Sequence, residues 1–213
     1  LDPITETLQR QNPTTPFVSG DNTNYGVFDA STGQTLYLWI DLKTDGNSTL
    51  PAVLEALAPL QEAGFLTTSN GTAVTKRAIT AIGTGNTPQS YFLPEDPASP
   101  ENPRYIFFDA QLATLNETAN ADITSLITPI ASARFSSQVG DVRQEGLNDT
   151  QVSILREQIQ YAESKGIGAR YWDTPGWPIG TRNAVWRTLV DEGAALINVD
   201  DLWAAADFWE NAG

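Results

Sequence analysis

Asp41 and Lys43 stand two apart in the segment Asp41-Leu42-Lys43, so on an extended strand their side chains share one face. A carboxylate there suits a hard cation such as Mg²⁺ or Ca²⁺, bound through oxygen. An ammonium suits a phosphate oxygen as a point charge. The plain alternative is an internal ion pair. Such a pair on an inward face is costly unless it is satisfied or used. A second group is Arg170-Tyr171-Trp172-Asp173. Alternation puts Arg170 and Trp172 on one face and Tyr171 and Asp173 on the other. Trp172 could pack a substrate head group or offer its ring to a cation; interior packing is the alternative, because large aromatics are usually buried. Asp109, Arg134, Asp200 and Asp201 also close apolar runs. The last two read more simply as acids at the start of a helix. Ile82-Gly83-Thr84-Gly85-Asn86 holds only G-x-G and leads into prolines, so it reads as a turn, not a dinucleotide-binding loop.

The residue types that are missing narrow the chemistry. The chain has no His, Cys or Met. Without His it lacks the commonest general acid and base, and a Ser-His-Asp triad or a His zinc site is excluded within it. Without Cys there is neither a disulfide nor a thiolate. Without Met, and beginning at Leu1, it reads as a chain from which something upstream has been removed. The net charge of −14, from 26 acidic against 12 basic residues, argues against a nucleic-acid partner and against an anionic membrane surface. No apolar run approaches the ~20 residues of a membrane span. Four N-x-[ST] sequons, at Asn47, Asn70, Asn116 and Asn148, fall in polar segments. They predict exposed glycosylation sites and hence a secreted or secretory-lumen protein; chance occurrence in Asn- and Thr-rich loops is the alternative.

These residues need elements to hold them. Six apolar, β-rich runs stand out, at 35–43, 78–83, 104–109, 131–136, 168–173 and 195–200. Several are almost continuously apolar, as expected of strands covered on both faces in a parallel sheet. Helical spacing recurs between and after them: 50–63 with a kink at Pro59, 150–165 with Asp149 or Thr150 as N-cap, 181–192, 202–211 and a short piece at 122–128. Residues 5–11 read as helix ahead of any strand. Segments 12–33 and 87–103 read as irregular excursions. Strands alternating with helices predict an α/β fold with strand C-terminal ends on one rim. The expectation is a single domain over residues 1–213, forming the C-terminal portion of a (β/α)₈ TIM barrel whose first two strands are missing.

Five segments carry a resemblance: 10–16 (Arg-Gln-Asn-Pro-Thr-Thr-Pro), 36–46, 81–88, 169–178 and 181–201. There the chain resembles the fungal proteins related to altered inheritance of mitochondria protein 6, within the phospholipase-C-like phosphodiesterase superfamily. The resemblance implies a TIM barrel with phosphoric-diester hydrolase ancestry. In that superfamily two histidines and an acid-x-acid metal pair precede an acid with a Lys two residues on. Asp41 and Lys43 match the last pair, and Trp172 matches a Trp near the seventh strand end. The resemblance thus implies Lys43 as catalytic, Asp41 as metal ligand, and Trp172 with Arg170 as substrate-binding. The histidines and the other metal carboxylates would lie upstream of this chain.

The first functional expectation is therefore a secreted, metal-dependent phosphodiesterase using Mg²⁺ or Ca²⁺, acting on a phosphodiester or phospholipid small molecule in lipid or glycerophosphodiester metabolism. Alone, this His-free chain is expected to be inactive, to bind the cation weakly, and to self-associate through open strand edges or to pair with the absent segment. A non-catalytic binding or structural barrel is the second reading. A glycosidase, using paired rim carboxylates, is the third.

Overall fold

The computed structural model describes residues 1–13, 15, 17, 25–93 and 98–210. They form a mixed α/β fold with parallel sheets, grouped in two compact units, Leu1–Phe108 and Asp109–Gly213. Parts of the 10–16 motif, of both predicted excursions and of the last predicted helix (Asn211) lie outside the described residues.

The first unit opens with helix α1 (Asp2–Gln11), which turns Leu8 fully inward. The run Leu-Tyr-Leu-Trp-Ile becomes strand β1 (Leu36–Leu42). Helix α2 (Gly46–Glu62) follows at once, capped by Asp45, whose carboxylate accepts from Ser48 N at 2.9 Å. It therefore begins four residues before the predicted start. It also runs on through Pro51 and Pro59, where a kink was expected; Leu50, Leu57 and Leu60, all buried, anchor it on both sides of Pro59. Each such side chain contributes about 1.5–3 kcal/mol of burial free energy. A short antiparallel hairpin, β2 (Thr68–Ser69) and β3 (Val74–Thr75), comes next. Asn70 Oδ1 closes it by accepting from Thr72 N and Ala73 N. Strand β4 (Ile79–Gly85) is the centre of the sheet, parallel to β1 from Leu36↔Ile79 to Leu42↔Gly85 and parallel to β5 (Ile106–Phe108) on its other side.

In the second unit β6 (Ile130–Arg134), the short helix α3 (Phe135–Val139), α4 (Asp149–Ser164), β7 (Gly168–Trp172), α5 (Ile179–Asp191), β8 (Leu196–Ile197) and α6 (Leu202–Glu210) follow in order. The sheet is parallel, β6-β7-β8. The N-cap of α4 is Asn148, one residue before the predicted position. It forms a reciprocal capping box with Gln151, a pattern written in Asn148-Asp149-Thr150-Gln151. Residues 122–128 do not form the predicted helix. They make turns in which Thr124 O accepts from Ile127 N and Thr128 N, and Pro129 leaves no room for further turns.

All six predicted strands exist and run parallel to their neighbours, but the expected barrel needs correcting. The described residues form two three-stranded parallel sheets and no closed barrel, and the third predicted strand (β5) is at an edge of its sheet. Among the described residues β1 and β8 each pair with one strand only. Apolar runs specify strands; closure needs matched strand lengths and stagger, and β5 and β8 have three and two residues.

Candidate functional site

Asp41 and Lys43 project from the C-terminal end of β1, and same-face spacing brings them into contact: Lys43 Nζ lies 2.6 Å from Asp41 Oδ2. The two side chains are 45% and 80% exposed respectively. The desolvation cost that the sequence pattern suggested is therefore absent. What is built tightly is the backbone beneath them. Asn86 N donates to Leu42 O at 2.8 Å, and Asn86 Nδ2 donates to Thr44 O at 2.9 Å and Lys43 O at 3.2 Å. Gly85 has φ +66°, and a Cβ there would overlap Asp41 Oδ1 and lie 2.6 Å from Leu42 O. A Cβ on Gly46 would overlap the Asn86 carbonyl. The segments Asp41–Gly46 and Gly83–Asn86 thus interlock. The predicted turn is present after Gly85: Thr87 Oγ1 donates to Thr84 O at 2.7 Å.

In the second unit Arg170 and Trp172 share a face with Ser132 and Arg134, their register partners on β6. Arg170 donates to Ser132 Oγ at 3.1 Å and to Asn198 Oδ1. Burial pushes its guanidinium below the ordinary value, and buried Asp109 acts against that shift. Arg170, expected to meet substrate, is thus engaged by internal partners and ties β7 to β6 and to the segment after β8. Trp172 is 41% exposed and offers its ring to a cation as foreseen, but the cation is Arg134, with Cζ 5.5 Å from the ring centroid. Asp173 was expected on the Tyr171 face. It turns away with φ +62° and accepts from Ser136 Oγ at 2.5 Å and Arg134 Nε at 2.8 Å. The Ser136 bond first, then Arg134, holds its carboxyl below the usual range. Tyr171 is fully buried, its hydroxyl bonded to Gln158 and its acidity weakened by burial.

Sequence reasoning assigned no role to Asn86, Ser132, Ser136 or Asn198. Asn86 lay in a quoted motif; the others carried no signal, because Ser132 sits within β6, Ser136 within α3 and Asn198 just past β8, and a lone short polar residue is common in any of these places. Asp41 and Lys43 belong to the first unit, and Arg170 and Trp172 to the second. Among the described residues no group of three or more acids, Cys or His could hold a metal ion. Asp41 offers one carboxylate, already paired with Lys43, so these residues alone do not make the expected Mg²⁺ or Ca²⁺ site.

Asn47, Asn116 and Asn148 are exposed, whereas Asn70, also expected to be exposed, is half-buried. Two have local tasks, Asn70 in its turn and Asn148 as a cap.

The profile of the AIM6-like phosphodiesterase domain matches residues 1–109, the stretch that holds Asp41, Lys43 and Asn86. The altered inheritance of mitochondria protein 6 homolog of Arthroderma benhamiae is 45% identical over 98% of this chain and 64% of its own length. The altered inheritance of mitochondria protein 6 of Eremothecium gossypii is 30% identical over 98% of the chain and 54% of its own length; that of Candida glabrata is 26% identical over 98% and 56%. The chain spans between about half and just under two thirds of these relatives. No solved structure matches it. The names correct one expectation: the relatives are named for the inheritance of mitochondria, which overturns the secreted assignment. That assignment rested on tripeptides which polar loops also produce by chance. The chain belongs to the AIM6-like phosphodiesterase domain family.

Proposed function

We propose that the intact protein hydrolyses a phosphoric diester and that this chain supplies its phosphate-facing lysine. The observation that carries the reading is the Asp41–Lys43 pair, set at a strand C-terminal end on an interlocked backbone inside the part matched to a phosphodiesterase domain. Lys43 Nζ is the exposed cation that meets a phosphate oxygen and stabilises charge developing on it. Asp41 orients Lys43 and serves as one oxygen ligand of a divalent cation whose other ligands come from outside the described residues. Such a cation would polarise the phosphoryl oxygens. The chain has no His, the commonest group for proton transfer, so the chain alone should not turn over. Parallel strands in sequence order and the domain match together support a TIM-like barrel for the intact protein. The relatives' names support a cellular role connected with mitochondria.

The test is hydrolysis of bis(p-nitrophenyl) phosphate and of a glycerophosphodiester, with and without Mg²⁺ or Ca²⁺. The intact protein should show turnover that falls roughly 10²–10³-fold in Lys43→Ala. Undiminished turnover by Lys43→Ala, or turnover by the 213-residue chain alone, would overturn the assignment. Binding of a phosphodiester without cleavage would favour the non-catalytic reading.

A further inference from the structure

Asn86, the residue just past β4, reaches the end of β1 through every N–H it has. Its backbone N–H donates to Leu42 O at 2.8 Å. Its side-chain Nδ2 donates to Lys43 O at 3.2 Å and to Thr44 O at 2.9 Å. The donors of one residue thus meet three successive carbonyls, and the middle one belongs to Lys43. Carbonyls only accept, so the two acceptors set the orientation of the amide. Its Oδ1 accepts no hydrogen bond among the described residues. The Asn86 carbonyl is seated closely too, since a Cβ on Gly46 would overlap its oxygen.

The chain passes from β1 to α2 through residues 43–45 alone. Neither the strand ladder nor the helix takes up the carbonyls of Lys43 and Thr44. Among the described residues they have no hydrogen-bond partner other than Asn86. The Lys43 side chain itself is 80% exposed, and a lysine stem is long and freely rotating. What the fold can fix is therefore the direction in which that stem leaves the backbone, and Asn86 is the side chain that fixes it.

We propose that Asn86 is the positioning residue for Lys43, acting through its two side-chain donors and not through its bulk. The inference rests on the reading of Lys43 as the cation that meets a phosphate oxygen. Asn86 touches no phosphate in this scheme. It holds the backbone of residues 42–44, so that the ammonium swings from one fixed origin and only the stem's own freedom is lost when the oxygen is met. A plain tie of the turn between β1 and α2 is the rival account. The two differ in one respect: a positioning role vanishes when Lys43 is removed, and a plain tie does not.

The experiment is a double-mutant cycle on the intact protein, read as hydrolysis of bis(p-nitrophenyl) phosphate with Mg²⁺ present. Asn86→Leu keeps the shape of the side chain at an exposed position and removes both donors. It should lower kcat about tenfold and leave KM within about twofold, as loss of orientation at a charge-stabilising group predicts. In the Lys43→Ala background the same substitution should change kcat by no more than about twofold, because residues acting as one unit are not additive. Amide protection at Phe107 on β5 checks that the first unit is folded; should Asn86→Leu fail that check, Asn86→Ala replaces it with the same expected values. A kcat in Asn86→Leu equal to the parent's, or a second tenfold loss in the Lys43→Ala background, would overturn the proposal and leave the reading of Lys43 standing. Undiminished turnover in Lys43→Ala, or none in the parent, would overturn that reading first and this proposal with it.

Discussion

Gly85→Ala should disturb the first unit more than a single methyl group suggests. The residue sits at φ +66°, where a side chain costs about 1–2 kcal/mol. The added Cβ would also overlap Asp41 Oδ1 and approach Leu42 O to 2.6 Å. The carboxylate can rotate away; the carbonyl cannot, because it accepts the Asn86 amide at 2.8 Å inside the β1–β4 register. Forcing atoms into a packed site costs a further ~1–3 kcal/mol, so the total is about 2–5 kcal/mol. With an m-value of about 2 kcal/mol/M in urea, the midpoint should fall by roughly 1–2.5 M. Gly33→Ala is the control, since nothing lies within 4 Å of the place its Cβ would take; it should change stability by no more than ~0.5 kcal/mol. Because the chain has two compact units, amide exchange at Asn86 gives the local readout, and its protection should drop in Gly85→Ala. A midpoint within about 0.25 M of the parent, with Asn86 protection intact, would refute the claim that Gly85 locks the Asp41 turn.

Two further outcomes follow from the second unit. Arg170→Met should destabilise it by roughly 3 kcal/mol in urea unfolding, because it leaves buried Asp109 without its neighbouring cation; a loss under about 1 kcal/mol would show that the cluster is not a stabilising network. Asp173 has a carboxyl held low by Ser136 and Arg134, so the stability it lends is present above its unfolded pKa and is lost as pH falls through the folded value. A carboxyl-carbon NMR titration should give a midpoint below the ordinary Asp value of about 3.9, rising in Ser136→Ala; an unmoved midpoint in that variant would remove Ser136 as the chief cause.

The long strands were readable because their apolar runs leave no helical alternative. Leu36–Ile40 is continuously apolar and Ile79–Ile82 is interrupted only by Thr80, and both became long strands. The hairpin at Asn70-Gly71 was missed because two-residue strands carry no periodicity, although Asn-Gly is a hairpin turn signal. Alternation failed where the backbone leaves the strand: Trp172 is the last residue of β7, and the positive φ at Asp173 carries its carboxylate toward the Arg134 side, which no count of residues from Arg170 reveals. Arg170 was placed on the Trp172 face, and its bond to Asn198 was not foreseen, because Asn198 reaches it from another element. Barrel closure was not legible either, since it depends on strand lengths at β5 and β8 that the apolar runs overstate.

The exposure of Asp41 and Lys43 bears directly on what they can do. A buried pair would be fixed by its own desolvation balance, and a ligand could take Lys43 only by stranding a carboxylate in the interior. Here the pair is open to water on both sides, and exposed pairs of this kind are worth at most about 1 kcal/mol. Lys43 can therefore leave Asp41 for a phosphate oxygen at little cost, and Asp41 can turn its oxygens to a cation without exposing a wound in the core. The rigidity lies one layer below, where Asn86 holds the carbonyls of Leu42, Lys43 and Thr44 and Gly85 and Gly46 admit the close approach. A fixed backbone under weakly paired charges is what the proposed phosphate-facing role of Lys43 requires, because a phosphate taking Lys43 from Asp41 would leave the strand end in register.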